Sequence, residues 1–260
     1  MKNPIIDPHM RKMKFESIEA INMLRGNIQM AGYNYKVVSV TSASPNEGKS
    51  YIAFRLAQSL VSLGKKTVFV DCDIRNSIIK KSYKITEKTA GLSEYLCGLC
   101  SEEKVIHHTT RENFDIIFSG RKSPNPSELL SGIMFDTLLD SLKQKYDYIV
   151  LDTPPVNLVV DATIISKKAD TTVLVIKSFS TERAEALHMK KKLESAGVKI
   201  LGVVLNLCGV KEKKRYGKFS YGKYGKYGKY GKYGKKGKNG YGAEYSYGYE
   251  NEESDLKDSD

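Results

Sequence analysis

Short apolar runs alternate along this chain with stretches in which apolar residues recur at helical spacing. Residues 36–41, 67–70, 114–118, 146–152, 172–176 and 200–205 are apolar or β-branched nearly throughout, which predicts strands buried on both faces. Between them the period changes. Ile52, Leu56, Leu60 and Leu63 form one stripe, with Ala53 and Ala57 beside it and Gly64 where a helix would end. Ile18, Ile21, Leu24 and Ile28 predict an amphipathic helix over 15–30. Leu130, Ile133, Met134, Leu138 and Leu142 predict another, with Ser127 as its N-cap after the loop that holds Pro124 and Pro126. A further helix is expected over about 181–195, and residues 1–14 read as an extended, mobile arm. Five or six strands alternating with helices predict an α/β fold, a doubly wound and mostly parallel sheet with helices on both faces.

Three segments emerge: an arm and helix over 1–35, a nucleotide-binding domain over 36–208, and a tail over 209–260. The tail differs in composition. Ten of the 17 tyrosines lie in its final stretch, and the repeat Tyr-Gly-Lys starts at Tyr216, Tyr221, Tyr224, Tyr227, Tyr230 and Tyr233. Tyr241, Tyr245, Tyr247 and Tyr249 follow among acidic residues. Residues 210–240 carry a net charge of +11 and residues 241–260 one of −6, a basic block followed by an acidic end, and the other 209 residues carry the remaining +7 of the chain's +12. With so few apolar residues the tail is expected to be disordered. Its function then rests on tyrosine and lysine themselves, either stacking on single-stranded nucleic acid or accepting phosphate.

No apolar run approaches the length of a membrane span, and the first residues lack the apolar core of a signal peptide. Four cysteines with no framework spacing point to a reducing, cytoplasmic setting, and Cys97-Gly-Leu-Cys100 is a single C-x-x-C without a second pair.

Chemistry concentrates where the first strand meets the first stripe helix. Ala43-Ser44-Pro45-Asn46-Glu47-Gly48-Lys49-Ser50-Tyr51 has the A-x-x-x-x-G-K-S order of a phosphate-binding loop, between a strand and a helix as that loop requires. Backbone N–H groups there face an anion, Lys49 reaches the β- and γ-phosphates, and the Ser50 hydroxyl suits Mg²⁺. The second strand ends in Asp71-Cys72-Asp73-Ile74-Arg75, and a later one ends in Asp152 before Thr153-Pro154-Pro155. A right-handed βαβ crossover brings such strand ends beside the loop. The expected roles are Lys49, Asp71, Asp73 and Asp152 in catalysis, and Ser50, Asp71 and Asp152 around the metal. ATP and Mg²⁺ are the expected cofactors.

TSASPNEGKS, VFVDCDIR and YDYIVLDTPPV, together with the tyrosine tail, resemble the three nucleotide signatures and the acceptor cluster of bacterial tyrosine kinases. These are the cytoplasmic-type kinases of capsular or extracellular polysaccharide synthesis. The resemblance implies autophosphorylation of the tail tyrosines, in trans between copies, and places Asn206 near the adenine base. It also implies a homo-oligomer, a separate membrane-anchored activator that holds the kinase at the inner face of the membrane, and a cognate tyrosine phosphatase. Two positions depart from the family pattern. Asn46 stands where relatives have glycine, and Asn22 replaces the first arginine of the helix motif E-x-x-R-x-x-R, read here from Glu19 to Arg25. A partitioning or site-selection ATPase of the same fold is the alternative, but those proteins carry a lysine where this chain has Ser44 and lack tyrosine tails. A nucleic-acid-binding ATPase is a third reading.

Overall fold

The strand β1 (Val37–Ser42) is buried along its whole length, because parallel partners flank it and helices cover both of its faces. The computed structural model describes residues 5–8, 12–32 and 34–208. The ten predicted acceptor tyrosines of the tail, and the expected disorder there, lie outside the described residues.

In chain order, α1 (Phe15–Ala31) precedes β1, followed by α2 (Lys49–Val61), β2 (Thr67–Asp71), α3 (Ile79–Ser82), α4 (Leu92–Leu96) and α5 (Glu102–Val105). Then come β3 (His107–His108), β4 (Phe114–Ile117), α6 (Pro126–Ser131), α7 (Ile133–Lys145) and β5 (Tyr148–Asp152). The last elements are α8 (Asp161–Lys167), β6 (Thr171–Lys177), α9 (Arg183–Ser195) and β7 (Ile200–Asn206). The strand order is β3-β4-β2-β5-β1-β6-β7, parallel except for the short antiparallel β3. The expected doubly wound sheet is therefore present.

Side-chain alternation divides the core in two. Val38, Val40, Phe69, Val150 and Val173 face the layer that holds α1 and α2. Val37, Val68, Val70, Ile149 and Leu151 face the opposite layer with Leu130 of α6 and Phe135, Leu138 and Leu142 of α7. In α2 burial extends beyond the predicted stripe to Arg55, Gln58 and Phe54, whose ring stacks on Tyr83 and meets Phe69 and Phe114 edge-on.

Four expectations need correction. Ile6, expected in a mobile arm, is fully buried and bridges Thr109, with its N–H donating to His108 O at 2.8 Å. The helix expected after Ser127 is two helices, since Gly132 is extended (φ −71°, ψ 160°) and resets the phase, leaving Ile133 exposed and sending Phe135 into the core. Asn125 occupies the N-cap with Pro126 at the first helical position, and Ser127 bonds elsewhere. The run from Ile200, expected to be buried, is an edge strand on which Val203 and Leu205 are more than half exposed.

Candidate nucleotide and phosphoryl-transfer site

Parallel register brings three strand ends to one place. Val40 of β1 lies opposite Asp152 of β5, and Asp152 lies opposite Asp71 of β2. The carboxylates thus arrive at the sheet's carboxyl edge beside the loop that leaves β1, as sequence order and handedness predict.

That loop turns on two left-handed residues, Asn46 (φ 63°) and Gly48 (φ 91°). Asparagine tolerates this conformation, so the departure from glycine at 46 leaves the turn intact. At 48 the requirement is steric as well, because an added Cβ would lie 2.0 Å from Asn206 Nδ2. Asn206, at the end of β7, donates from that same nitrogen to Glu47 O at 2.9 Å. Asn206 thereby holds the loop backbone from the side of the edge strand.

Glu47 is buried and turned away from the mouth of the site. Its carboxylate accepts the Ser44 N–H at 2.9 Å and the Thr181 hydroxyl. The Thr181 oxygen accepts the Lys177 N–H at 2.8 Å, and Ser178 N–H donates to Asn206 O at 2.9 Å. The turn after β6 therefore clamps the phosphate loop through one side chain. The sequence marks Thr181 only as the start of a helix, and nothing around it signals a loop anchor. Ala43 packs into a small core with Val156 and Leu174, so it fixes the base of the loop.

Lys49 Nζ lies 3.7 Å from Asp73 and 3.2 Å from the Ser50 hydroxyl. Asp71 and Asp152 are both almost wholly buried. Burial, then the neighbouring Asp152, pushes Asp71 up to about 7 despite the hydrogen bond from Ser77. Burial likewise raises Asp152 to about 6, although the Lys49 charge and the Ser50 hydroxyl pull it down. Asp152 Oδ1 is buried without a hydrogen-bond partner among the described residues. Asp73 accepts the Asn76 N–H at 2.9 Å, and its own N–H donates to Asp71 at 3.2 Å.

A second network lies beside the first. Arg75 Nε donates to Asp161 at 2.6 Å, Arg75 Nη2 donates to both Asp161 and Ser127 at 3.1 Å, and the Ser127 hydroxyl donates to Asp161 at 2.5 Å. Asp161 opens α8 and is buried, while Arg75 is part exposed. Sequence pattern does not reveal Asp161, which the chain separates from Arg75 by 86 positions.

Pro45, Asn46, Gly48, Lys49, Ser50 and Tyr51 line a cavity of about 630 Å³ that continues past Asp73 and Arg75 to Pro154 and Leu158. Six of the predicted loop residues thus meet in one cavity, while Ala43, Ser44, Glu47 and Asn206 support the loop from behind. The fit to a magnesium nucleotide is good in three respects: a cradle that a Cβ at 48 would close, a buried carboxylate oxygen without a partner, and a hard oxygen donor set. Among the described residues there is no group of three or more His, Cys, Asp or Glu placed to hold a metal unaided. Mg²⁺ takes one or two carboxylates and fills its remaining positions with water and phosphate. Cys97 is exposed and Cys100 half-buried, and both are free thiols. No described helix is long and apolar enough to cross a membrane.

Residues 35–196 match the family described as AAA domain, a nucleotide-binding P-loop fold. The tyrosine-protein kinase CpsD of Streptococcus pneumoniae serotype 4 is 37% identical over 216 residues, covering 82% of this chain and 95% of that protein. YwqD of Bacillus subtilis, also a tyrosine-protein kinase, is 34% identical over 81% of this chain and 89% of its own length. Among solved structures, the kinase domain of Escherichia coli tyrosine kinase ETK superposes with a TM-score of 0.71 at 33% identity, covering 79% of this chain and 80% of that one. The septum site-determining protein MinD of Pyrococcus horikoshii, at 24% identity and a TM-score of 0.58 over 68% of this chain and 72% of that one, shares the fold alone. On this sequence identity, over most of both chains, the chain belongs to the bacterial tyrosine-protein kinase family.

Proposed function

We propose that this kinase transfers the γ-phosphoryl group of ATP to tyrosines of its own tail, Tyr216 through Tyr249, with one copy presenting its tail to another. The observation that carries the reading is the convergence beside the phosphate loop of Lys49 and Asp73, which line the cavity, with Asp71 and Asp152, which lie buried behind them. When bound, Mg-ATP supplies the transferable phosphoryl group and the divalent charge that offsets it. Ser50, Asp71 and Asp152 would hold the metal, directly or through water. Lys49 neutralises phosphate charge at the loop, and the N–H groups at the start of α2 bind the phosphate oxygens. Asp71 and Asp73 orient the metal side of the site and take the proton from the attacking tyrosine hydroxyl, so that its oxygen forms the new P–O bond as ADP leaves.

The kinases it resembles, CpsD and the product of a Klebsiella pneumoniae cps region among them, support a role in capsular or extracellular polysaccharide synthesis. The chimerical protein CapA2B2, at 33% identity and a TM-score of 0.69 over 78% of this chain and 93% of that one, supports a partner that contributes to the kinase. We read that partner as a membrane-anchored activator that keeps the kinase at the inner membrane face, with a tyrosine phosphatase reversing the modification. The test is incubation with Mg-ATP, with and without the cytoplasmic tail of such a partner, followed by mapping of phosphotyrosine. Lys49→Met is expected to abolish labelling with the fold intact, and normal labelling in that variant would overturn the assignment.

A further inference from the structure

One strand over from Asp71, the same sheet edge carries a second hollow, of about 510 Å³. Lys80, Lys88, Thr89, Glu94, Gly120 and Arg121 line it. It sits where β4, the neighbour of β2, runs out into Gly120. The short helix α3 divides the two spaces, with Ile79 and Ser82 facing the nucleotide cavity and Lys80 facing the hollow.

The hollow is basic and incompletely satisfied. Three cations and one carboxylate line it, that carboxylate is already engaged, and Glu87 and Asp71 act on Lys80 from outside the lining. Glu94 accepts Gly91 N–H at 3.0 Å and Ser93 hydroxyl at 3.1 Å, caps the start of α4, and pairs with Arg121 at 3.4 Å. Lys80 stands over the Phe118 ring at 5.0 Å and donates a long bond, 3.4 Å, to Glu87 O. Burial holds its amine below the ordinary lysine value, so an anion close by would be a favourable partner. The Thr89 hydroxyl is buried in this wall with no hydrogen-bond partner among the described residues.

We propose that this hollow is a substrate subsite that binds the carboxylates next to an acceptor tyrosine, so that the kinase selects tyrosines in acidic peptide. The inference rests on the tyrosine-kinase reading of the neighbouring cavity. Adjacent strands lie about 4.8 Å apart and an extended peptide advances about 3.3 Å per residue, so a side chain a few positions from a tyrosine at Asp73, which lines the nucleotide cavity, reaches the hollow. The chain itself contains such a segment. Tyr249 is followed by Glu250, Glu252 and Glu253, and Tyr245 is preceded by Glu244, whereas the Tyr-Gly-Lys repeats put lysine at those distances. Lys80, Lys88 and Arg121 attract the first kind of segment and repel the second. Within the tail, Tyr245, Tyr247 and Tyr249 are then modified before Tyr221 to Tyr233.

The probe is a synthetic peptide of residues 243–254, added in excess to the full chain and joined to lysines by a zero-length carbodiimide cross-linker. Attachment at Lys80 and Lys88 is expected to exceed that at the exposed Lys167, Lys190 and Lys199 by about fivefold, the scale of one or two partly exposed charge contacts. High salt and Arg121→Glu should each remove the excess, and Arg121 is exposed enough for the variant to fold. In kinetic assays, replacing the glutamates of the peptide by glutamine should raise KM by about the same factor and leave kcat unchanged. Attachment spread evenly over the surface lysines, or an excess that survives Arg121→Glu, would overturn the subsite. Attachment at Lys80 and Lys88 to a peptide that is never phosphorylated would retain the subsite and instead remove the acceptor reading.

Discussion

Asp71 and Asp152 sit opposite one another on adjacent parallel strands, buried, with both carboxyl groups raised by their surroundings. Two like charges in a buried site cost stability that a structural pair would not retain. The pair makes sense as a site prepared for positive charge. Asp152→Asn removes one of the charges and nearly keeps the shape. It is expected to stabilise the nucleotide-free protein by about 0.5–2 kcal/mol while abolishing phosphotyrosine formation. Thermal unfolding without nucleotide and a labelling assay check the two halves. A variant that is both less stable and active would contradict the reading.

The clamp behind the phosphate loop is the next prediction. Glu47 is fixed by Thr181 across 134 positions of chain, and neither side chain lines the nucleotide cavity. Thr181→Ala leaves a buried carboxylate oxygen without its hydroxyl, at a cost of about 1–3 kcal/mol. Because the loop it orders carries the phosphate donors, the KM for ATP should rise several-fold with a smaller change in kcat. Thr181→Ser keeps the hydroxyl and should restore most of the affinity. Steady-state kinetics over a range of ATP concentrations separates the two.

The strand ends and the loop are legible in the sequence because they depend on local rules. An apolar run, then small residues, then Gly-Lys-Ser fixes a strand, a turn and a helix start in order, and crossover handedness places Asp71 and Asp152 beside them. Thr181, Asp161 and the buried Ile6 are not legible, since each acts through a partner far away in sequence. The edge position of β7 is hidden for a different reason. Its apolar run looks like that of a central strand, and only the strand order shows that one side has no partner among the described residues. Gly132 shows the limit of periodicity, which runs through a break that a single extended residue makes.

Asp161 gives a pH prediction. Burial by itself would raise its carboxyl. The hydrogen bonds from Arg75 and Ser127, with the Arg75 charge, override that and hold it below the ordinary value of 3.8. A carboxyl depressed in the folded state stabilises the fold above its unfolded value, because the unfolded chain binds the proton more readily. That contribution is lost as pH falls below 3.8 through the depressed folded value. Asp161→Asn should therefore be less stable than the parent at neutral pH, with the gap closing in acid. Denaturant midpoints measured from neutrality down to strong acid check it. A constant gap would mean that the amide disturbs packing and that charge plays no part.

The departure at Asn22 concerns assembly. In this structure the motif is turned inward onto α2. Arg25 Nη1 donates to Ser59 O at 2.8 Å and to the Ser59 hydroxyl at 2.9 Å, and that hydroxyl donates to Asn22 Oδ1 at 3.1 Å. Asn22 in turn donates to Glu19 at 3.2 Å. Arg25 thus lies near the C-terminal turn of the helix that begins at Lys49, where a cation is favoured by the helix dipole and by unpaired carbonyls. Its bonds bind α1 to the helix that carries the phosphate loop. Arg25→Ala should therefore cost about 1.5–3 kcal/mol, the range for hydrogen bonds from a charged donor, and lower the unfolding midpoint of the isolated chain. Light scattering should give the parent and the variant the same mass under conditions where both are folded. A variant with unchanged stability but reduced mass would show that Arg25 acts between copies, and that the contacts with Ser59 yield to that role on assembly.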